Sequence, residues 1–346
     1  MTKPSKKPIA LDLFCGSGAV TLGLKQAGFD VVGALDYDHG ACRTYRSNHP
    51  DVYLVEEDIR KVHPDVFSHL IPEKLDLLVV CAPCQPFSSQ NRRKREDDSR
   101  RDLVRESKKF IKRYKPAIVF LENVPGLAST SIFSSFSTWL KNTGYDVAEP
   151  QRVNAAELGV PQRRTRMILI AAKGVSLKDA SWLAKQSKKT VREAINDLPP
   201  PPLGRPKEGD PLHFARRHSS LNIERLRHIP ADGGGRESLP PHLQLACHRN
   251  AKSGSFSDTY GRMKWDDVAP TLTTGCTDIT KGRYAHPTQN RAITLREAAR
   301  LQSFPDDYIF EGNAAQIATQ IGNAVPPAMM CTIALSLKSV LRPDSP

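Results

Sequence analysis

The chain is short of several things. Aromatic residues make up 7 % of its 346 residues, and 37 Asp and Glu face 50 Lys and Arg. Its seven cysteines are an odd number, scattered at 15, 42, 81, 84, 247, 276 and 331. That scatter argues against a disulfide framework, and no second CxxC completes a zinc site, so no metal is expected. Reduced thiols fit a cytosol. No apolar stretch approaches the roughly 20 residues that cross a bilayer. IALDLF, behind the basic MTKPSKKP, is too short for a signal-peptide core. The expectation is a cytoplasmic globular protein with one large domain and a smaller one. The surplus of bases gives a net charge of +13. Such a surplus gains affinity for polyanions by displacing counterions, so nucleic acid is the expected partner.

Up to about residue 170, short apolar runs alternate with amphipathic stretches. IALDLF (9–14), DVVGALD (30–36), LDLLVV (75–80), AIVFLENV (117–124) and RMILIAA (166–172) read as buried strands. DLVRESKKFIKRYK (102–115) has helical periodicity. Strands alternating with helices predict an α/β domain with a mostly parallel sheet, whose ligands sit beyond the strands' carboxyl ends. Residues 199–211 are a Pro-rich linker or long loop, and 212–290 are irregular. A helix restarts at 294–302, where Thr294 and Glu297 have capping-box spacing. The tail QIGNAVPPAMMCTIALSLKSVL ends in a helix that can dock on the sheet.

Four stretches have the residue types that chemistry requires. DLFCGSGAVTLG (12–23) follows a strand, and its glycines permit a tight turn and close backbone approach to a ligand. It departs from GxGxxG, with Thr21 where a third glycine would stand. Asp36 ends the next strand, where an acid accepts hydrogen bonds from ribose hydroxyls, and Asp58 follows a third strand. The loop and the two acids suggest a nucleoside-bearing cofactor. In VCAPCQPFSSQN (80–91), Cys84 lies just past a strand end. Cys81-x-x-Cys84 is compatible with a redox pair, half a metal site, or a nucleophile beside a core thiol, and only a thiolate attacks. In LENVPGL (121–127), Glu122 closes an apolar strand, where a carboxyl's pKa rises and it can stay protonated. In PQRRTRMILI (161–170), Arg164 and Arg166 share one side by period two and can fork onto a carbonyl oxygen, a phosphate or a carboxylate.

Taken together, DLFCGSGAVTLG, APCQPFSSQN, LENVPGL, QRRTR, REAARLQSFP and QIGNAVPP resemble, in order and spacing, the DNA (cytosine-5) methyltransferases of the bacterial, restriction-modification type. The resemblance covers about 9–172 and 260–330. It implies a Rossmann-like catalytic domain over 1–172 and 320–346. It also implies a small irregular target-recognition domain over 173–319, variable at about 175–287. The implied cofactor is S-adenosylmethionine, with S-adenosylhomocysteine as product. Phe14, Cys15, Gly16, Ser17 and Gly18 would hold its methionine and adenosine parts, Asp36 its ribose, Tyr37 the adenine face, and Asp58 and Ile59 the adenine edge. Pro83, Leu103, Asn323 and Ala324 would complete that site. Cys84 would be the nucleophile, Glu122 the acid on the base, and Arg166 with Arg164 the groups holding the base and supporting Glu122. Ser88, Gln90, Thr271, Leu272, Arg262 and Arg283 would contact duplex DNA. ARRHSS, RLRHIPADGGGR and CHRN, within 212–260, are further candidates for base and phosphate contacts. A cognate restriction endonuclease is a possible companion, and a monomer is expected. A cysteine-dependent oxidoreductase leaves Glu122 and the arginines unexplained. A transfer-RNA methyltransferase shares the catalytic motifs, but GRMKWDDVAPTLTT looks like the DNA-type enzymes, and intact Cys84, Glu122 and Arg166 argue against an inactive relative.

Overall fold

A computed structural model describes residues 6–71, 73–83, 103–175, 177, 185–206, 209–249 and 258–341, the side chains of 247 and 248 excepted. Its centre is one eight-stranded sheet in the order β3-β2-β1-β4-β5-β8-β6, with β7 also paired to β8. The strands are β1 Ile9–Leu13, β2 Asp30–Asp36, β3 Tyr53–Glu56, β4 Leu77–Val80, β5 Ile118–Asn123, β6 Asp146–Val147, β7 Gln151–Asn154 and β8 Thr165–Ala172. The first five run parallel, and β8 is antiparallel to β5, β6 and β7. The fold is therefore Rossmann-like, with a mixed, mostly parallel sheet.

The central strands are apolar throughout because both faces are covered. Alternation sorts their side chains to two cores. Ala10, Leu77, Val79, Ile118, Phe120, Ile168 and Ile170 lie in one. Leu11, Leu13, Leu78, Val80, Val119, Leu121 and Leu169 lie in the other. On the first face α1 Ala19–Gln26 packs against α10 Pro327–Leu341, reached through α9 Ala314–Asn323. Ala314–Leu341 is in fact long and apolar enough to span a bilayer, contrary to the expectation from sequence. Its apolar residues are those of a core helix: Met329, Met330, Ile333, Ala334 and Leu337 are all buried in the first core. On the second face, α3 Leu103–Tyr114 buries Leu103, Val104, Ser107, Phe110 and Ile111, the i, i+3, i+4 stripe of an amphipathic helix. Each fully buried side chain of Phe110's kind stabilises the fold by about 1.5–3 kcal/mol. α4 Ser131–Asn142 joins it, and α2 His39–Asn48 follows β2.

Two further cores lie beyond the sheet. One gathers Leu272, Tyr284, Phe304, Tyr308, Ile317 and Ile321 with α5 Val191–Ile195 and α8 Leu295–Leu301. The other gathers Leu226, Ile229, Leu243, Tyr260 and Ile279 around α6 Ser220–His228, followed by the short α7 Ala246–Arg249. The region 212–290 is irregular, as expected. The Pro-rich segment before it is pinned to α8. His213 bonds Thr294 Oγ1 and the Pro199 carbonyl, and Asp210 pairs with Arg296. The capping box at Thr294 and Glu297 is formed.

Thr21, at the expected third-glycine position, has a structural task. Its Oγ1 is 2.8 Å from Asp12 Oδ2 and 2.8 Å from Tyr45 Oη, all buried. Asp12 stands on β1 inside the protein, and burial raises its pKa to about 7. The folded state therefore holds a proton that the unfolded chain releases near pH 4. Stability is lost as pH climbs from about 4 to about 7 and levels off above that. Asp12→Asn should escape this loss. Between pH 5 and pH 8 its unfolding free energy, from urea melts, should rise relative to the parent by on the order of 2 kcal/mol.

Candidate active site

A cavity of about 550 Å³ opens at the carboxyl ends of the parallel strands. That volume lies within the roughly 300–1,000 Å³ of small-ligand sites. Its floor is the loop between β1 and α1. Gly16 and Gly18 adopt φ of 53° and 91°, and Phe14, without glycine's freedom, also has a positive φ of 62°. Such strain persists where the surroundings over-determine it and clusters at functional sites. A Cβ on Gly16 would meet nothing within 4 Å, so the loop backbone presents an open face to the cavity.

Asp36, at the end of β2, closes one side. Its Oδ2 accepts from Gly16 N at 2.8 Å and its Oδ1 from Asp38 N at 2.9 Å. Each oxygen retains acceptor capacity. Burial raises its pKa even so. Tyr37 stands beside it, 61 % exposed.

Glu122 closes the other side, at the end of β5. Arg166 Nε, on β8, lies 2.9 Å from Glu122 Oε1, and both side chains are about nine-tenths buried. The contact is an ion pair without hydrogen-bond alignment. Burial pushes the Glu122 carboxyl up, and the nearby guanidiniums of Arg166 and Arg164 only partly offset it. Asn123, next along the strand, donates to the Ala82 carbonyl at 2.9 Å and so ties the end of β5 to the segment leading into Pro83. Pro83 lines the cavity. Cys84, the next residue, lies outside the described residues, as do Ser88 and Gln90. Cys81 also lines the cavity. Burial first, then Glu122 and Asp12, raise its thiol well above the ordinary value, which keeps it protonated and unsuited to thiolate chemistry.

Arg164 also lines the cavity, where its charge acts on Glu122, and it has a structural task besides. It is 2 % exposed, and its Nη atoms donate to the carbonyls of Leu272, Gly322 and Asn323 at 3.2, 3.1 and 3.4 Å. It is a strut that holds three chain segments at the cavity wall. Gln162 extends the strut, accepting from Leu272 N at 3.0 Å and donating to Gln302 Oε1 at 2.9 Å. Gln302 in turn donates to the Ile321 carbonyl. The sequence gives no sign of this amide network, because nothing in spacing predicts a side chain's carbonyl partner 100 or more residues away.

Asn323 and Ala324 line the cavity with Phe14, Cys15, Gly16, Ser17, Asp36, Tyr37 and Pro83. Sequence reasoning missed the rest of the α9 wall: Asn313, Gln316, Thr319 and Gln320, at helical spacing from Asn323, also line it. The i, i+3, i+7 recurrence of Asn and Gln before IGN was the available signal. Four expected cofactor residues are not among the lining residues. Asp58 turns its carboxylate onto Arg60, which depresses its pKa to about 2. Ile59 and Leu103 are core residues. Gly18 backs onto His49 and Tyr308.

Two DNA assignments, Arg262 and Leu272, fall on buried side chains, and Arg283 is partly engaged. Arg262 is 2 % exposed, and its guanidinium donates to the carbonyls of Leu226, Ile229, His286 and Gln289. Leu272 is buried in the hub. Arg283 is only a quarter exposed and caps the carbonyls of Gly233, Gly234 and Arg262. The Arg283 guanidinium braces the loop PADGGGR, and that of Arg262 is spent on the carbonyls named above. Thr271 keeps its Oγ1 on the Arg163 carbonyl at 2.6 Å.

A mostly parallel sheet, a strained glycine loop, a strand-end acid and a buried carboxyl in one cavity define the Rossmann-like methyltransferase class. Similarity to known proteins narrows it. The family described as C-5 cytosine-specific DNA methylase matches residues 10–339. The chain is 38 % identical to the type II methylase M.HgiDII of Herpetosiphon aurantiacus, covering 96 % of this chain and 95 % of that one. It is 35 % identical to the type II methyltransferase M.PspPI of a Psychrobacter strain, over 98 % of this chain and 80 % of that one. Its fold matches a DNA modification methyltransferase encoded within an E. coli prophage, with a TM-score of 0.76 and 25 % identity over 97 % and 99 % of the two chains. The chain belongs to the C-5 cytosine-specific DNA methylase family, and its enzyme class is DNA (cytosine-5)-methyltransferase.

Gly322 tests the hub. A Cβ there would lie 2.4–2.6 Å from the backbone of Thr273 and Thr274. Gly322→Ala should force α9 away from that segment and destabilise the protein by about 1–3 kcal/mol, read as a lower thermal midpoint.

Proposed function

We propose that the enzyme transfers a methyl group from S-adenosylmethionine to carbon 5 of a specific cytosine in duplex DNA, through a transient bond to Cys84. The observation that carries this reading is Glu122, a carboxyl whose pKa burial raises, in the same cavity as the glycine loop and Asp36. The cavity residues suit the cofactor. Asp36 has acceptor capacity for ribose hydroxyls, the open face at Gly16 admits close backbone approach, and Tyr37 is exposed enough to cover the adenine. Bound there, S-adenosylmethionine supplies a methyl made electrophilic by its sulfonium.

The protein's own residues do the rest. A cytosine inside a duplex cannot reach the cavity, so it is extruded at a cost of a few kcal/mol. The Cys84 thiolate adds to carbon 6, and negative charge develops on N3 and O2. Protonated Glu122 donates to N3, and Arg166 brings its positive charge to O2, stabilising that charge where it forms. Carbon 5 takes the methyl. Its proton then leaves to a base, the bond from sulfur to carbon 6 breaks, and the thiolate returns with 5-methylcytosine released. Arg164 acts one step back, holding the Asn323 and Leu272 backbones at the cavity wall.

Residues 1–172 and 320–346 would form the catalytic domain and 173–319 the recognition domain, with DNA in a cleft between them. The net charge of +13 would hold the phosphates. The type II relatives favour a restriction-modification setting, with a cognate endonuclease or as an orphan methylase. A monomer suffices, since every residue invoked belongs to one chain.

Tritiated methyl transfer to duplex DNA, with transfer RNA as the comparison, checks the substrate: label should enter DNA alone. Cys84→Ser should abolish transfer and keep DNA binding, and retained turnover would remove Cys84 from its role. Duplex containing 5-fluorocytosine should trap a covalent complex stable to denaturing gels, because fluorine blocks the final elimination. Glu122→Gln should lower kcat by a factor on the order of 100 or more while S-adenosylmethionine affinity holds.

A further inference from the structure

We propose that Tyr308 and His49, neither of which lines the cavity, are positioning residues that set affinity for the methyl donor by fixing the carbonyl side of the 15–18 loop. The inference rests on the S-adenosylmethionine reading above. Tyr308 Oη donates to the Ser17 carbonyl at 2.5 Å. His49 Nε2 lies 3.0 Å from the Gly18 carbonyl and 3.4 Å from Tyr308 Oη. Tyr308 has committed its one proton to Ser17, so both of His49's neighbours at Nε2 are acceptors. The ring must carry its proton on Nε2. Burial pushes its pKa down to about 4, so at neutral pH it does this as an uncharged donor.

The pair is rigidly backed. The Tyr308 ring sits 4.9 Å from Phe304 and 5.3 Å from Phe310, and His49 packs edge-on to Tyr45 at 4.9 Å. The loop rests directly on them: a Cβ at Gly18 would come within 2.6 Å of the His49 ring and 2.8 Å of Tyr308 Oη. The consequence follows from peptide geometry. In a trans peptide the C=O and N–H point opposite ways. The Gly18 carbonyl accepts the Leu22 N–H of α1 at 2.9 Å and faces His49 Nε2 as well, so the Ala19 N–H is turned the other way, and Ala19 lines the cavity. That N–H belongs to the first turn of α1, where helix geometry provides no internal acceptor and the dipole favours an anion such as the donor's carboxylate. A residue 291 positions away from Ser17 thereby orients the cofactor loop.

Calorimetric titration of the full-length protein with S-adenosylhomocysteine tests this. Tyr308→Phe should weaken binding about tenfold, the worth of one buried hydrogen bond. In steady-state assays KM for the methyl donor should rise with kcat held, and DNA affinity without cofactor should stay at the parent value. His49→Gln keeps an N–H for the Gly18 carbonyl and should stay within about threefold of the parent, whereas His49→Phe should match Tyr308→Phe. The histidine pair carries the test if Tyr308→Phe does not fold. Parent-like binding by both Tyr308→Phe and His49→Phe overturns the proposal. So does a fall in thermal midpoint and DNA affinity without selective loss of S-adenosylhomocysteine. If the parent itself does not bind S-adenosylhomocysteine, the cofactor assignment fails, and the positioning claim falls with it.

Discussion

A carboxyl buried at the end of an apolar strand is the constraint around which this molecule is arranged. Ile118 to Leu121 are fully enclosed, and the same strand carries Glu122 into the cavity wall. Desolvation penalises its charged form, while Arg166 and Arg164 favour it. Burial prevails, so the carboxyl takes up its proton more readily than an ordinary glutamate while two cations stand near it. Once protonated, such a group donates a hydrogen bond where an ionised glutamate could only accept one. The arrangement is unfavourable for an empty fold and useful for a ring on which negative charge develops.

Holding that group in place takes segments far apart in the chain. Gln162, Arg164, Leu272, Gln302, Ile321 and Asn323 meet in one buried network in which amides and a guanidinium satisfy backbone carbonyls. Buried polar groups of this kind are costly unless paired, and once paired they specify a single arrangement. This accounts for the polar residues in QRRTR, RLQ and QIGN: several of them hold the cavity wall and leave substrate contact to others. Asn123 does the same for the approach to Pro83, and Tyr308 for the glycine loop.

What sequence could show followed from periodicity and strand ends. β2 occupies the predicted 30–36, and β1, β4, β5 and β8 fall within a residue or two of prediction, because runs buried on both faces are unmistakable. Asp36, Glu122 and the glycine loop were legible for the same reason: a polar residue closing such a run stands out. The buried arginines were not. Arg262 and Arg283 look like DNA contacts in sequence, and in the fold their guanidiniums hold backbone carbonyls, since a guanidinium's partner is decided by tertiary structure. Asp58, expected at the adenine edge, pairs with the neighbouring Arg60 and is not among the cavity's lining residues. The α9 face was readable only as helix, because its relation to the cavity depends on how the C-terminal segment folds back.

The central claim concerns one proton. Carbon-13 NMR of enzyme labelled at glutamate carboxyls, with Glu122 assigned by its loss in the Gln variant, measures that group's titration directly. The account predicts a midpoint above that of an ordinary glutamate. A midpoint at or below the ordinary value would show that the guanidiniums outweigh burial, and a neutral acid at position 122 would be contradicted.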